Sequence, residues 1–161
     1  MTNILVLCTG NSARSILGEA LLNRLGQGRV TAYSAGSTPK AEPHPAALRL
    51  LAAKGYDTTF ARSKSWDEFA GPDGPVMDVV ITVCDSAAAE ACPIWPGAPV
   101  QVHWGQPDPA AVQGPDEAVD AAFQAAYTLF QARAAEALKL DFTKDASALR
   151  ADLTTIGKRV P

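Results

Sequence analysis

The chain has 161 residues, 47% of them hydrophobic and 19% charged, with a formal net charge of −3, which is the size and balance of one ordinary soluble domain. That charge, without any basic run, argues against a nucleic-acid-binding protein. No apolar run reaches the length of a signal segment or a membrane span. Three cysteines beside two histidines, with no Cys-x2-Cys pair, speak against zinc and for thiol chemistry in a reducing, cytoplasmic setting.

In chain order, Asn3 to Leu7 predicts a short buried parallel strand. A helix is expected from Ser15 to about Leu25, with Leu17, Ala20, Leu21 and Leu25 on one face and Gly26 or Gly28 as its stop. Val30 to Ala35 is a second strand closed by Gly36. After an irregular stretch marked by Pro39 and Pro43, Pro45 suits the first turn of a helix that ends at Lys54, with Leu48, Leu51 and Ala52 inward. Ser65 to Phe69 predicts a short helix with a capping serine. Asp78 to Val83 is a strongly β-branched third strand that runs into Cys84. The Ala-rich segment from Asp85 to Ala91 is open between a short helix and a loop, and Cys92-Pro93-Ile94-Trp95-Pro96-Gly97 is a turn-rich connection. Val100 to Val102 is a fourth strand, and His103 to Pro109 a loop. Glu117 to Leu138 is the longest helix, with Val119, Phe123, Tyr127, Phe130 and Leu138 on its apolar stripe. A last helix spans about Asp145 to Ile156 and stops before Gly157. Strands alternating with helices predict a single α/β domain, with a four-stranded parallel sheet covered on both faces.

Parallel sheets bind ligands at the carboxyl ends of their strands. Cys8, Cys84 and the loop holding Asp108 all fall there. The stretch Cys8-Thr9-Gly10-Asn11-Ser12-Ala13-Arg14-Ser15 joins the first strand to the first helix. Helix N-termini carry unpaired N–H groups and partial positive charge, so they bind oxyanions. The same field lowers a thiol's pKa, and on these grounds Cys8 is expected as a thiolate near neutral pH. Arg14 adds a planar fork of donors to the same anion. The bland reading, a buried thiol and a surface arginine, does not account for a glycine-containing loop braced by Asn11 and Ser12.

Nucleophilic attack on an oxyanion centre also needs an acid at the leaving oxygen. Asp108, held between Pro107 and Pro109, is the candidate; by itself it would pass for a turn residue. Cys84 and Cys92 form a second constellation that phosphoryl transfer does not need. A thiol reaching a covalent adduct on Cys8 would convert it to a disulfide. The competing reading makes Cys84 a small apolar core residue.

The Cys8 to Ser15 stretch resembles the active-site loop of the low-molecular-weight protein tyrosine phosphatase superfamily, and is most similar to the arsenate reductases of that fold. The likeness covers residues 3 to 140. It also rests on Cys84, on Cys92-Pro93, and on His103-Trp104-Gly105 ahead of Asp108-Pro109 without a closely following tyrosine. The resemblance implies a three-layer α/β/α fold over about residues 1–161, with a C-terminal helical extension at about 141–161. It implies that Thr9, Gly10, Asn11, Ser12, Ala13 and Arg14 hold arsenate, with phosphate or sulfate as analogues. Cys8 would attack, Asp108 would protonate the departing oxygen, and Ser15 would hydrogen-bond Cys8. Cys84 and then Cys92 would carry the resulting disulfide outward to thioredoxin, to glutathione with glutaredoxin, or to mycothiol. It further implies a potassium ion at Asn11, Glu19, Ser34 and Asp67; without the resemblance, Asn11 would be a loop brace and Glu19 a helix-face residue. Two other functions compete: a phosphatase for phosphotyrosine or a small phosphate ester, and a non-catalytic anion-binding or thiol-sensing module.

Overall fold

Along the first strand, alternate side chains face opposite sides of the sheet, and both sides are apolar. In β1 (Thr2–Cys8), Ile4, Val6 and Cys8 enter one buried cluster, while Leu5 and Leu7 enter another. A strand buried on both faces belongs in the middle of a sheet, and β1 lies there. It pairs in parallel with β2 (Val30–Gly36) on one side and β3 (Val79–Thr82) on the other, and β4 (Val100–His103) completes the order β2-β1-β3-β4. The computed structural model describes residues 1–84 and 95–160. The segment from Asp85 to Ala91, Cys92 and the Pro93-Ile94 pair lie outside the described residues.

The larger cluster packs under α1 (Arg14–Leu25), α2 (Pro45–Ala53), α4 (Asp116–Ala137) and α5 (Ala146–Arg159). The smaller one gathers Phe69 of α3 (Asp67–Ala70), Met77, Val80 and Trp95 on the opposite face. Burying each Leu, Ile or Phe contributes roughly 1.5–3 kcal/mol before conformational entropy is set against it. The α/β fold with a four-stranded parallel sheet therefore agrees with the sequence pattern. Among the described residues, no helix is long and apolar enough to cross a membrane.

Details differ from the periodicity. Leu25 is exposed at the end of α1, and α2 turns Ala46, Ala47 and Leu51 inward while Ala52 faces solvent. Small Ala46 and Ala47 take the inward positions beside Leu51, and Leu48 is only half-buried. The last helix does not stop at Gly157 but runs to Arg159. The reason is packing: a Cβ on Gly157 would lie 2.6 Å from Cδ1 of the fully buried Trp104. The glycine serves as a seat for the indole, whose Nε1 donates to the Leu153 carbonyl at 2.9 Å. Gly157→Leu is expected to overpack this contact by about 1–3 kcal/mol, lowering the melting temperature by about 2–12 °C in a calorimetric scan.

The end of α5 is tied to the site loop by Arg133. Its guanidinium donates to the carbonyls of Val160 (2.9 Å), Gly105 (3.1 Å) and Gly157 (3.2 Å). Three neutral acceptors satisfy a largely buried cation. The loop that follows β4 is thereby fixed from behind.

Candidate active site

The register brings the functional segments together. Cys8 pairs with Gly36, and Leu7 with Thr82; the Val83 N–H then reaches the Leu7 carbonyl at 2.9 Å. Cys84 therefore leaves β3 beside Cys8. The Gln106 N–H bonds the Val83 carbonyl at 3.2 Å, which lays the Asp108 loop along the same edge. Gly36 permits the crowding at this edge, because a Cβ there would sit 2.4 Å from the Thr9 carbonyl oxygen.

Residues Thr9 to Ala13 turn tightly into α1, which starts at Arg14, one residue earlier than predicted. The helix start has no side-chain cap and no acidic residue in its first turn. It thus keeps its positive end for an incoming anion. A cavity of about 440 Å³ opens there, lined by Cys8, Thr9, Gly10, Ser12, Ala13 and Arg14, with Thr38, Pro39, Lys40 and Asp108 around its rim. Arg14 donates from Nη1 to the Gln106 carbonyl at 2.8 Å, and Nη2 lies 3.6 Å from Asp108 Oδ2. Its Nε is buried without a hydrogen-bond partner. A buried guanidinium N–H without a partner, on a residue that lines the same cavity as Cys8, is a donor of the kind an oxyanion satisfies.

Asn11 sits inside the loop. It is fully buried, absent from the cavity wall, and holds a left-handed φ of 45°. Asparagine tolerates that conformation better than most residues. Its backbone N–H approaches Cys8 Sγ at 3.2 Å, and its Nδ2 donates to Ser15 Oγ at 2.8 Å. The Ser15 oxygen therefore accepts from Asn11 and has its own O–H for Cys8 Sγ, also at 2.8 Å. Asn11 shapes the loop and aims Ser15.

The expectation of a ready thiolate is corrected as well. Burial pushes the Cys8 thiol up, the hydrogen bonds from Ser15 and the Asn11 N–H pull it down, and a charge on Cys84 adds to the rise. Helix-end reasoning from sequence omits this desolvation. Since the neutral thiol is the form favoured by burial, deprotonation moves to a pH above the ordinary cysteine range. Alkylation of Cys8 by iodoacetamide should therefore have its midpoint above that of free cysteine. Ser15→Ala, which removes an O–H donor to the thiolate, should raise the midpoint further.

Asp108 is exposed; its Oδ1 accepts the Ala110 N–H at 2.9 Å and so caps a short turn over Pro109–Ala111. Its other oxygen faces Arg14 and the cavity. Cys84 is buried, with its Sγ 3.3 Å from Thr9 Oγ1. Cys8, Arg14, Ser15, Asp108 and Cys84 thus converge, whereas Cys92 lies outside the described residues. Sequence reasoning missed Thr38, Pro39 and Lys40 on the rim. The Lys40 N–H reaches the Gly10 carbonyl at 2.9 Å, a long-range pairing no local motif announces.

Sequence reasoning also missed Lys64. Its ammonium is buried beside two of the four residues expected to bind potassium, 3.5 Å from Glu19 Oε1 and 3.4 Å from Ser34 Oγ. Burial pushes the Glu19 carboxyl up and the Lys64 ammonium down, and their mutual attraction opposes both movements. Among the described residues, no group of three or more His, Cys, Asp or Glu side chains is placed to hold a metal ion.

Comparisons with known proteins agree with this geometry. A curated arsenate reductase from Halalkalibacterium halodurans is 35% identical over 124 residues, covering 75% of this chain and 84% of the relative. The crystal structure of an arsenate reductase from Archaeoglobus fulgidus superposes with a TM-score of 0.67 at 23% identity, over 85% of this chain and 99% of that one. The tyrosine phosphatase Wzb from Escherichia coli K30, in complex with sulphate, superposes with a TM-score of 0.62 at 26% identity, over 83% and 96%. Residues 3–140, from β1 through α4, match the family described as low molecular weight phosphotyrosine protein phosphatase. The chain belongs to that family, which it shares with relatives named arsenate reductases.

Proposed function

We propose that the protein reduces arsenate to arsenite. The observation that carries the reading is the place of Cys84, buried at the mouth of the Cys8 loop with its sulfur against Thr9. Transfer of a phosphoryl group needs Cys8, Arg14 and Asp108 and has no use for a second thiol at that point.

Arsenate enters the cradle between the α1 start and the Arg14 guanidinium. Cys8 sulfur attacks arsenic, and an arsenate oxygen departs. The thiol proton and that oxygen leave together as water, with Asp108 handling the proton at the leaving oxygen. A hydrogen bond from Ser15 favours the sulfur as it sheds its proton, offsetting the desolvation that holds the thiol neutral. Cys84 sulfur next attacks Cys8 sulfur. The sulfur–arsenic bond breaks, its electron pair stays on arsenic as arsenite, and a Cys8–Cys84 disulfide remains; the Cys84 proton goes to arsenite. Cys92 then attacks Cys84, freeing Cys8, and an external reductant restores the Cys84–Cys92 pair. Thioredoxin, itself a dithiol, is the reductant we favour, with glutathione plus glutaredoxin or mycothiol as the other candidates. All of them belong to a reducing compartment such as the cytoplasm.

The test is arsenite release from arsenate by purified protein supplied with thioredoxin, thioredoxin reductase and NADPH, or with dithiothreitol. Release supports the reading. Hydrolysis of a phosphate ester with no arsenite under either reductant would assign the site to a phosphatase, and anion binding with no turnover would assign it to a sensing module.

A further inference from the structure

The four residues that the family likeness matched to a potassium site do not fit that ion here. Asn11 Oδ1 already accepts the backbone N–H of Lys64 at 2.9 Å. Ser34 Oγ donates to Glu19 Oε1 at 2.5 Å, and the Lys64 ammonium stands beside both while donating to the Arg62 carbonyl at 2.9 Å. Asp67 is exposed on the first turn of α3 and makes none of these contacts. The oxygens a hard cation would need are taken up by a cation the chain supplies itself, and a second positive charge beside it would be repelled.

We propose that Lys64 is a tethered cation for the nucleophile loop. Its ammonium compensates the buried Glu19 carboxylate, and its backbone N–H holds Asn11. The connection to the reacting atom is continuous: Lys64 N–H to Asn11 Oδ1, Asn11 Nδ2 to Ser15 Oγ at 2.8 Å, and Ser15 to Cys8 Sγ at 2.8 Å. Ser63 adds a bond from its hydroxyl to the Asn11 carbonyl at 2.7 Å. The segment Ser63-Lys64 therefore grips the left-handed turn of the loop at two points, both on Asn11. Lys64 touches neither sulfur nor substrate. It is a positioning residue, and the wild-type enzyme works without an added monovalent cation. This rests on Cys8 being the nucleophile of the proposed reaction.

The test compares potassium chloride with choline chloride at equal ionic strength, reading the melting temperature and the rate of arsenate reduction. Wild type should be the same in both salts. Lys64→Ala leaves Glu19 buried and uncompensated, and its melting temperature should fall by about 6–20 °C. Potassium or methylammonium, small enough to enter the vacated space, should restore part of the stability and of the rate; choline should not. Lys64→Met, which keeps the apolar stem, should lose stability too and respond less to added cations.

Saturable activation or stabilisation of wild type by potassium would overturn the proposal. So would a Lys64→Ala deficit that no small cation relieves, or a Lys64→Met protein as stable and active as wild type. Should neither variant fold, the two salts on wild type still decide. Melting temperature is read without turnover, so failure of the tethered-cation account is distinguishable from failure of the arsenate reading.

Discussion

Cys8→Ser is expected to abolish arsenite formation, lowering the rate by at least about 10⁴-fold, because removing a covalent nucleophile takes with it most of the rate it supports. A serine hydroxyl is a far weaker nucleophile than a sulfur at neutral pH, and it cannot hand an electron pair to arsenic through a disulfide. The cradle should survive the change. The Arg14 fork, with its buried Nε lacking a partner, and the uncapped start of α1 do not depend on the sulfur. Phosphate and arsenate should therefore still bind to Cys8→Ser. Equilibrium dialysis with arsenate separates loss of chemistry from loss of binding. Loss of both would mean that the loop itself had collapsed.

Cys84→Ser is expected to stop the reaction after the first bond. Cys8 can still form its adduct with arsenate, but the disulfide that expels arsenite has lost its second sulfur. Multiple-turnover reduction with thioredoxin should fall by roughly 10³-fold or more, on the scale of removing one member of a catalytic unit. Hydrolysis of a simple phosphate ester, which uses Cys8, Arg14 and Asp108, should change by less than about tenfold. Loss limited to the reductase assay is the signature of a thiol serving electron transfer. A parallel loss in both assays would make Cys84 a packing residue at the end of β3, where it is 5% exposed and touches Thr9.

Much of this site was legible because its parts are local in sequence. The loop from Cys8 to Ser15 sits between a strand and a helix, and each residue type in it has a local reason. Parallel-strand logic then placed Cys84 and Asp108 at the same end of the sheet as Cys8, and the register brings them there. Where the reading failed, the cause lay across the fold. Burial of Cys8 depends on the packing around it, and it reverses the direction expected from the helix end. Asn11 reads locally as a brace within its own loop, yet Lys64 and Ser63, more than fifty residues away, are what hold it. Lys64 itself carries no motif; its meaning comes only from Glu19 and Ser34 beside it. Gly157 reads as a helix stop in one dimension and becomes a seat for Trp104 in three.

The most direct measurement of the central claim is thiol mapping by mass spectrometry after reduced protein meets excess arsenate with no added reductant, with arsenite quantified alongside. The two electrons that reduce arsenic must come from two cysteines. The prediction is a single arsenite per chain and one disulfide that includes Cys84, joined to Cys8 or passed on to Cys92. Three reduced thiols and no arsenite, or arsenite without any protein disulfide, would contradict it.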